Sequence, residues 1–215
     1  MYKRYIKRII DFTLSVITFI AILPIFLIII ILVRIRIGTP VFFSQERSTL
    51  NGKKFNLMKF RTMTEEKDSE GRYLPDEIRL TKFGNILRGT SLDELPELIA
   101  IIKGDLSIIG PRPMPIEYDD YYTKKERKRF GVRGGLIPPE VLYGNVQPTW
   151  DEQLGYESDY AENVTFIMDI KILISVIKGL IIRYHSDYGE YRRMPLNELR
   201  RSEKEAENDY INTST

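Results

Sequence analysis

Residues 12–33 read FTLSVITFIAILPIFLIIIILV, an uncharged run of 22 residues between Lys3, Arg4, Lys7 and Arg8 on one side and Arg34 and Arg36 on the other. At about 1.5 Å per residue, a straight helix of this length just spans the hydrocarbon core of a bilayer. The run is too long for a cleaved leader, and no small-residue cleavage site follows it. Hydropathy alone leaves two readings open: a spanning anchor, or a hairpin that dips into one leaflet and returns. Two features favour the hairpin. Basic residues flank both ends, so the positive-inside preference is best met with both ends in the cytoplasm. Pro24 sits near the middle, where it removes a backbone hydrogen bond and kinks the helix. Asp11, at the edge of the run, has Lys7 and Arg8 beside it to neutralise its charge.

Apolar residues are unevenly spread over the rest of the chain. Its 215 residues suffice for one domain with a modest core. A net charge of +2 gives no field that demands a nucleic-acid partner. With no Cys there are no disulfides or thiolate metal sites, and with a single His, His185, any metal must take oxygen ligands. That points to Mg²⁺, Mn²⁺ or Ca²⁺ rather than zinc.

The periodicities place the elements. Val41–Arg47 and Lys54–Thr62 flank Asn51-Gly52 and read as a short β-hairpin. Thr64–Arg79 reads as a solvated loop or short helix. Phe83, Ile86 and Leu87 stand at helical spacing within Thr81–Arg88, and a second helix is expected from near Ser91 to Lys103, ended by Gly104. Tyr118–Phe130 reads as a polar helix, and the Gly- and Pro-rich stretch Gly131–Pro148 as irregular. Phe166–Ile182 carries a broad apolar face with Asp169, Lys171 and Lys178, which suits a helix in the membrane interface or a buried core helix. From about Met194 the chain is a charged helix ending in a polar tail. The fold class is therefore α+β: a re-entrant helix-break-helix over 1–36, a small domain of amphipathic helices and a β-hairpin over 37–193, and a charged terminal helix over 194–215.

Asp93-Glu94 is the most informative polar pair. Ser91-Leu92-Asp93-Glu94 fits a capping box, in which Glu94 only reaches back to the Ser91 amide. Pro96 argues for a helix start between Leu92 and Leu95 instead, because proline is comfortable only in a first turn. The two carboxylates would then share an electropositive helix end that also attracts phosphate. In that setting an ionised Asp93 can act as a nucleophile and Glu94 can hold a metal. Lys59, Arg61, Arg88, Arg112 and Arg133 supply cations beside Gly, Pro or aromatic neighbours, where Arg can grip phosphate with paired hydrogen bonds. Neither a P-loop nor a Gly-x-Gly-x-x-Gly fingerprint is present.

Several stretches now occur together in one order. These are Lys7-Arg8-Ile9-Ile10-Asp11, Phe42-Phe43-Ser44-Gln45-Glu46-Arg47, Lys59-Phe60-Arg61-Thr62-Met63, Leu80-Thr81, Gly84 and Leu87-Arg88. Ser91-Leu92-Asp93-Glu94-Leu95-Pro96-Glu97-Leu98 and Lys103-Gly104-Asp105-Leu106-Ser107-Ile108-Ile109-Gly110-Pro111-Arg112-Pro113 follow. Over roughly residues 1–185 the chain resembles the monotopic phosphoglycosyl transferases, bacterial sugar transferases that initiate capsule, exopolysaccharide, O-antigen or glycoprotein glycan assembly. The resemblance implies a catalytic domain on a re-entrant helix at the cytoplasmic face of the bacterial inner membrane. It implies Mg²⁺, held by Asp93 and Glu94, and ping-pong transfer of a sugar 1-phosphate from a UDP-sugar to undecaprenyl phosphate. Asp93 would be the nucleophile, kept ionised by the helix terminus and neighbouring Arg residues. Glu94 would be the metal-associated acid, and Lys59, Arg88 and Arg112 would handle phosphate.

The chain departs from the family pattern in three places. Leu23 stands where Ser usually precedes the break proline, Pro24. Arg133-Gly134-Gly135-Leu136-Ile137-Pro138-Pro139 replaces a more usual Arg-Pro-Gly-Ile-Thr-Gly-Trp, and Glu157, with Asp159 nearby, falls where the family has an essential Asp. The Gly134–Glu157 segment is expected to shape the sugar pocket. A catalytically silent membrane scaffold and a Mg²⁺-dependent lipid diphosphate phosphohydrolase are the alternatives, and a homo-oligomer stays open.

Overall fold

The computed structural model describes residues 1–144, 148–183 and 193–213. His185 and residues 145–147 of the Gly/Pro-rich stretch lie outside the described residues. The chain forms two compact units that cut across the sequential segments read above. One comprises Arg4–Glu46 and Phe55–Ile108, and the other Met1–Lys3, Arg47–Lys54 and Ile109–Thr215.

The first unit is organised by α1 (Lys7–Arg36), which a turn of π-helix over Tyr2–Ile6 precedes. Among the described residues it is the one helix long and apolar enough to cross a membrane. Its buried positions, Lys7, Asp11, Ser15, Phe26, Ile29 and Val33, follow one stripe, while Phe12, Ile17, Ile20, Ile25, Ile28 and Ile31 stand exposed around it. Exposed β-branched apolar residues at this density belong against lipid. The expected division into two helices at Pro24 does not interrupt the element: helix runs from Lys7 to Arg36 with Pro24 inside. A lost N–H and a ring clash one turn back strain a helix without ending it where the surrounding hydrogen bonds persist.

Polar groups tie both ends of α1 to its own unit. Near the start, Arg8 donates to the carbonyls of Ile101 and Ile102 at 2.5 and 2.8 Å. Asp11 accepts from the Ser107 hydroxyl at 2.5 Å and lies 3.7 Å from Lys7, the local neutralisation expected from sequence. At the far end, Arg61 donates to Ile37 O and Thr39 O. Between them Phe26, Phe42 and Phe60 pack ring on ring, 5.0 and 5.3 Å between the centroids about Phe60, with Leu87 completing the core.

The hairpin is as expected: β1 (Phe42–Ser48) and β2 (Lys54–Phe60) turn through Asn51, at φ 57°. After a short α2 (Asp76–Arg79), α3 (Lys82–Gly89) starts on Thr81, whose hydroxyl accepts from the Gly84 amide at 2.9 Å. Only glycine fits at 84, since a Cβ there would run into the Thr62 carbonyl. α4 (Glu97–Lys103) stops at Gly104, at φ 92°.

The second unit takes up the chain at Ile109, the last residue of β3 (Ser107–Ile109), and there the Gly110 amide reaches Ile137 O of β4 (Gly135–Ile137) at 3.1 Å. The core gathers Met114, Tyr122, Trp150, Leu154 and Leu196 around α5 (Trp150–Asn163), α6 (Phe166–Arg183) and α7 (Leu196–Thr213). Two expectations are corrected here. Tyr118–Phe130 is not one helix but two 3₁₀ segments, Ile116–Tyr121 and Glu126–Gly131. Between them Thr123 and Glu126 exchange a reciprocal pair of bonds, amide to carboxylate at 2.7 Å and amide to hydroxyl at 3.3 Å. That local box starts a new turn and ends the old one. Gly131–Pro148, expected to be irregular, supplies β4 and a 3₁₀ turn over Pro139–Tyr143.

Candidate active site

The structure settles how Ser91 and Glu94 are used. Ser91 has φ 55° and makes no side-chain cap. Leu92–Glu94 form a 3₁₀ turn, and α4 proper begins only at Glu97, after Pro96. The capping box is therefore not formed, and the helix starts later than the Leu92–Leu95 window. Pro96 needs no amide partner in such a first turn, so the chain can tighten through 3₁₀ geometry before it.

Released from capping, Glu94 turns to the hairpin. Lys59, near the end of β2, lies 2.6 Å from Glu94 and 3.2 Å from Glu97. Burial pulls the Lys59 pKa down, but the two carboxylates outweigh it and hold the ammonium above its ordinary range. Asp93, between Leu92 and Glu94, is buried, and among the described residues its carboxylate enters no ion pair. Burial first, and then the charge of Glu94, push its pKa up, while Lys59 and Arg88 offset part of that. The expected cations are present, but they act against burial and the charge of Glu94 rather than unopposed. Burial of the carboxylate outweighs its partly screened cations.

Arg88, in the last turn of α3, donates from Nε to the Thr62 hydroxyl at 3.0 Å, which leaves its terminal nitrogens for other partners. Lys59, Arg88, Asp93 and Glu94, all singled out from sequence, thus fall in one unit and in one electrostatic neighbourhood. Arg61 falls in the same unit but spends its guanidinium on Ile37 O and Thr39 O, with Glu65 at 3.5 Å. It clamps the end of α1. Glu97 joins this group through Lys59. Its spacing of three from Glu94, one helical turn, was the available signal that both could reach one cation.

Arg112, Arg133 and Glu157 belong to the other unit. Glu157 is fully buried and paired with Arg129 at 2.7 Å, and it also accepts from the Arg112 amide at 2.9 Å and from Gln153 at 3.0 Å. Arg129 further donates to Tyr122 and to Arg112 O. Glu157 is thus the keystone of the Gly110–Pro113 turn rather than an open ligand, and Asp159 is solvent-exposed. The backbone of this turn is clamped while the Arg112 side chain remains exposed. Both glycines here are needed, since a Cβ on Gly135 would strike the Gly110 backbone and one on Gly110 the Arg133 carbonyl. Glu140, unread from sequence, is buried beside this group with Oε2 unbonded, and its pKa is pushed up to about 7, by burial first and then by Glu157.

Among the described residues no three acidic or imidazole groups are placed to hold a metal ion. Asp93 and Glu94 together offer the hard oxygen donors that Mg²⁺ uses when substrate phosphates and water complete its shell.

Residues 2–183 match the family model of the bacterial sugar transferases, and the chain belongs to that family of enzymes. It is 41% identical over 177 residues to the uncharacterized sugar transferase EpsL of Bacillus subtilis, covering 82% of this chain and 88% of the relative. With the UDP-glucose:undecaprenyl-phosphate glucose-1-phosphate transferase of Caulobacter vibrioides it shares 28% identity, over 81% of this chain and 69% of the relative. The transferase of the same name from Klebsiella pneumoniae is 32% identical, over 81% of this chain and 40% of its own length.

Proposed function

We propose that the chain transfers a sugar 1-phosphate from a UDP-sugar to undecaprenyl phosphate, through a covalent intermediate on Asp93, at the start of a surface glycan. The observation that carries this reading is a buried carboxylate that enters no ion pair among the described residues, raised in basicity, beside the Lys59–Glu94–Glu97 group and Arg88. The names of the relatives support the substrates. In the first step an Asp93 oxygen attacks the donor's β-phosphorus. The bond from that phosphorus to the oxygen bridging to the α-phosphate breaks, and UMP departs with the electron pair. In the second step a phosphate oxygen of the acceptor attacks the same phosphorus, and the Asp93 carboxylate leaves. A covalent store suits a soluble donor and a membrane acceptor, since the two need not be bound together.

Lys59 fixes Glu94 and adds positive charge near the developing phosphoryl charge, and Arg88 contributes its free guanidinium nitrogens. Asp93 and Glu94 would hold Mg²⁺, which when bound draws charge from the diphosphate. The membrane arrangement is monotopic, with both ends of α1 on the cytoplasmic side. The tying of Arg8, Asp11 and the Ile37–Thr39 end to a single unit supports it. The exposed apolar stripe of α6 suits the interface.

Incubating the protein with its UDP-sugar and no acceptor should add one phospho-sugar mass to the peptide containing Asp93. Release of inorganic phosphate with no adduct would favour a hydrolase instead. Because the chain has no Cys, cysteines introduced at Lys3 and Asn51 report topology cleanly. Both should be protected from an impermeant thiol reagent in intact cells, and labelling at Lys3 alone would show a spanning helix.

A further inference from the structure

A second site lies wholly within the unit that holds α5. It is an open pocket of about 400 Å³ lined by Lys3, Asn51, Arg127, Lys128, Phe130, Gly131, Ala161 and Glu162. Three cations face one acid there. Lys3 donates one hydrogen bond, to Ala161 O at 2.7 Å, and an ammonium has three to give. Arg127 uses one terminal nitrogen on Asp119 O at 2.6 Å. Lys128 pairs with Glu162 at 2.7 Å, and both side chains are about half exposed, 47% and 46%. Among the described residues each cation is therefore positioned by one protein contact and keeps donors for another partner.

What adjoins the pocket decides what that partner is. The residue before Lys3 is Tyr2, whose ring meets Phe166 edge-on at 5.8 Å and whose hydroxyl donates to Asp169 at 2.5 Å. Phe166 begins an exposed apolar stripe on α6 that continues through Ile167, Ile170, Ile174 and Ile177. Four residues after Lys3 the apolar α1 begins. An aromatic and aliphatic stripe beside a basic pocket matches a molecule with an apolar chain and an anionic head. A nucleic acid would leave the stripe in water.

We propose that this pocket binds the phosphodiester headgroup of an anionic membrane phospholipid, with its acyl chains along the α6 stripe. The site is distinct from the transfer chemistry, since none of its residues belongs to the Asp93 group. It rests only on the membrane placement of the protein. Lys and Arg near a membrane surface each contribute roughly a fivefold preference for anionic lipid.

The test is native mass spectrometry of the full-length protein released from nanodiscs of equal phosphatidylglycerol and phosphatidylcholine. The wild type should retain phosphatidylglycerol selectively. The triple variant Lys3→Gln, Arg127→Gln, Lys128→Gln should lose about 100-fold of that selectivity, and Glu162→Gln should raise it about fivefold. UMP release in detergent, and the KM for undecaprenyl phosphate, should stay within twofold of wild type for both. Equal retention of the two lipids by wild type, or unchanged selectivity in the triple variant, overturns the proposal. A raised acceptor KM with unchanged lipid selectivity would assign the pocket to the acceptor instead, and also overturns it.

Discussion

Two groups of carboxylates and cations, one in each unit, use the same residue types for opposite ends. Around Arg129, whose side chain is 2% exposed, Glu157 and Tyr122 complete a closed network in which Glu157 has donors on both oxygens. Around Lys59, whose side chain is 26% exposed, Glu94 and Glu97 share one ammonium, and Asp93 next to them has no ion pair among the described residues. A buried pair with every lone pair occupied can only hold a backbone in place. A half-open pair beside an uncommitted carboxylate can exchange partners with a substrate. The contrast lies in degree of satisfaction, which residue identity does not reveal.

The strongest way to break the contrast is Asp93→Asn. If Asp93 is the nucleophile, UMP release should fall by about 10³-fold or more. Stability should not fall with it. A carboxyl whose folded pKa is raised binds its proton more tightly folded than unfolded, so its ionisation costs stability as pH rises above its ordinary range. Removing the charge should therefore leave the unfolding midpoint at pH 8 unchanged or higher. UMP release near the wild-type rate would sink the nucleophile assignment.

Glu157→Gln should show the inverse. It strands the Arg129 guanidinium in the core, a change that typically costs about 3–5 kcal/mol. Thermal unfolding in detergent should show a marked drop, and the Gly110–Pro113 turn should become the first site of proteolysis. An unchanged midpoint with lost UMP release would instead give Glu157 a direct part in activity, as for the essential Asp that it matches in the resemblance.

A smaller effect belongs to Glu140. Its pKa is pushed up to about 7 by burial and by the nearby Glu157, while Arg112 and Arg129 pull against them. The unfolded chain releases this proton near the usual carboxylate range, so stability from the protonated form is complete at low pH and declines as pH rises toward and through about 7. Glu140→Gln should flatten that slope and raise stability at pH 8 by on the order of 2 kcal/mol. Unfolding midpoints of the two proteins that run parallel from pH 5 to 8 would show that the side chain finds a partner in solution.

How much of this was readable in the sequence depended on the range of the interaction. The apolar run, Asn51 at the hairpin turn, the helix over Phe83–Leu87 and the Gly104 stop all act within a few residues, and they stand where expected. Asp93, Glu94, Lys59 and Arg88 were legible as a set through motif and resemblance. The hold of Arg61 on Ile37 O and Thr39 O is not legible locally, because these partners are backbone atoms more than twenty residues away. Arg129 sat in a dense charged stretch with nothing local to separate it from Arg127 or Lys128, and only its burial against Glu157 does so. The helix α5 went unread although Thr149-x-x-Glu152 closes a capping box at its start. That signal was present, and weak hydrophobic periodicity behind it hid the element. Pro24 favours a break by its local chemistry, yet helix continues through it.

The smallest effect sharpens the contrast from the side of the backbone. A capping box at Ser91 would make Ser91→Ala cost about 1 kcal/mol, the usual worth of a lost cap. The structure gives Ser91 no cap and a φ of 55°, in the left-handed region where a Cβ is strained. Ser91→Ala should therefore change stability by less than about 0.5 kcal/mol. Ser91→Gly removes the Cβ strain at the cost of a more flexible unfolded chain, and should be neutral to slightly stabilising. The more informative readout is UMP release. Ser91 sets the 3₁₀ turn that carries Asp93 and Glu94, so Gly at this position loosens the carboxylates without altering their charge. A several-fold fall in rate with an unchanged unfolding midpoint would show that the left-handed Ser91 holds the nucleophile's aim. If Ser91→Ala instead costs a full cap, with Ser91→Gly losing only a few tenths, the serine side chain is capping the turn after all. Glu94 would then divide its time between Ser91 and Lys59, and the open group would be more like its closed counterpart than the geometry shows.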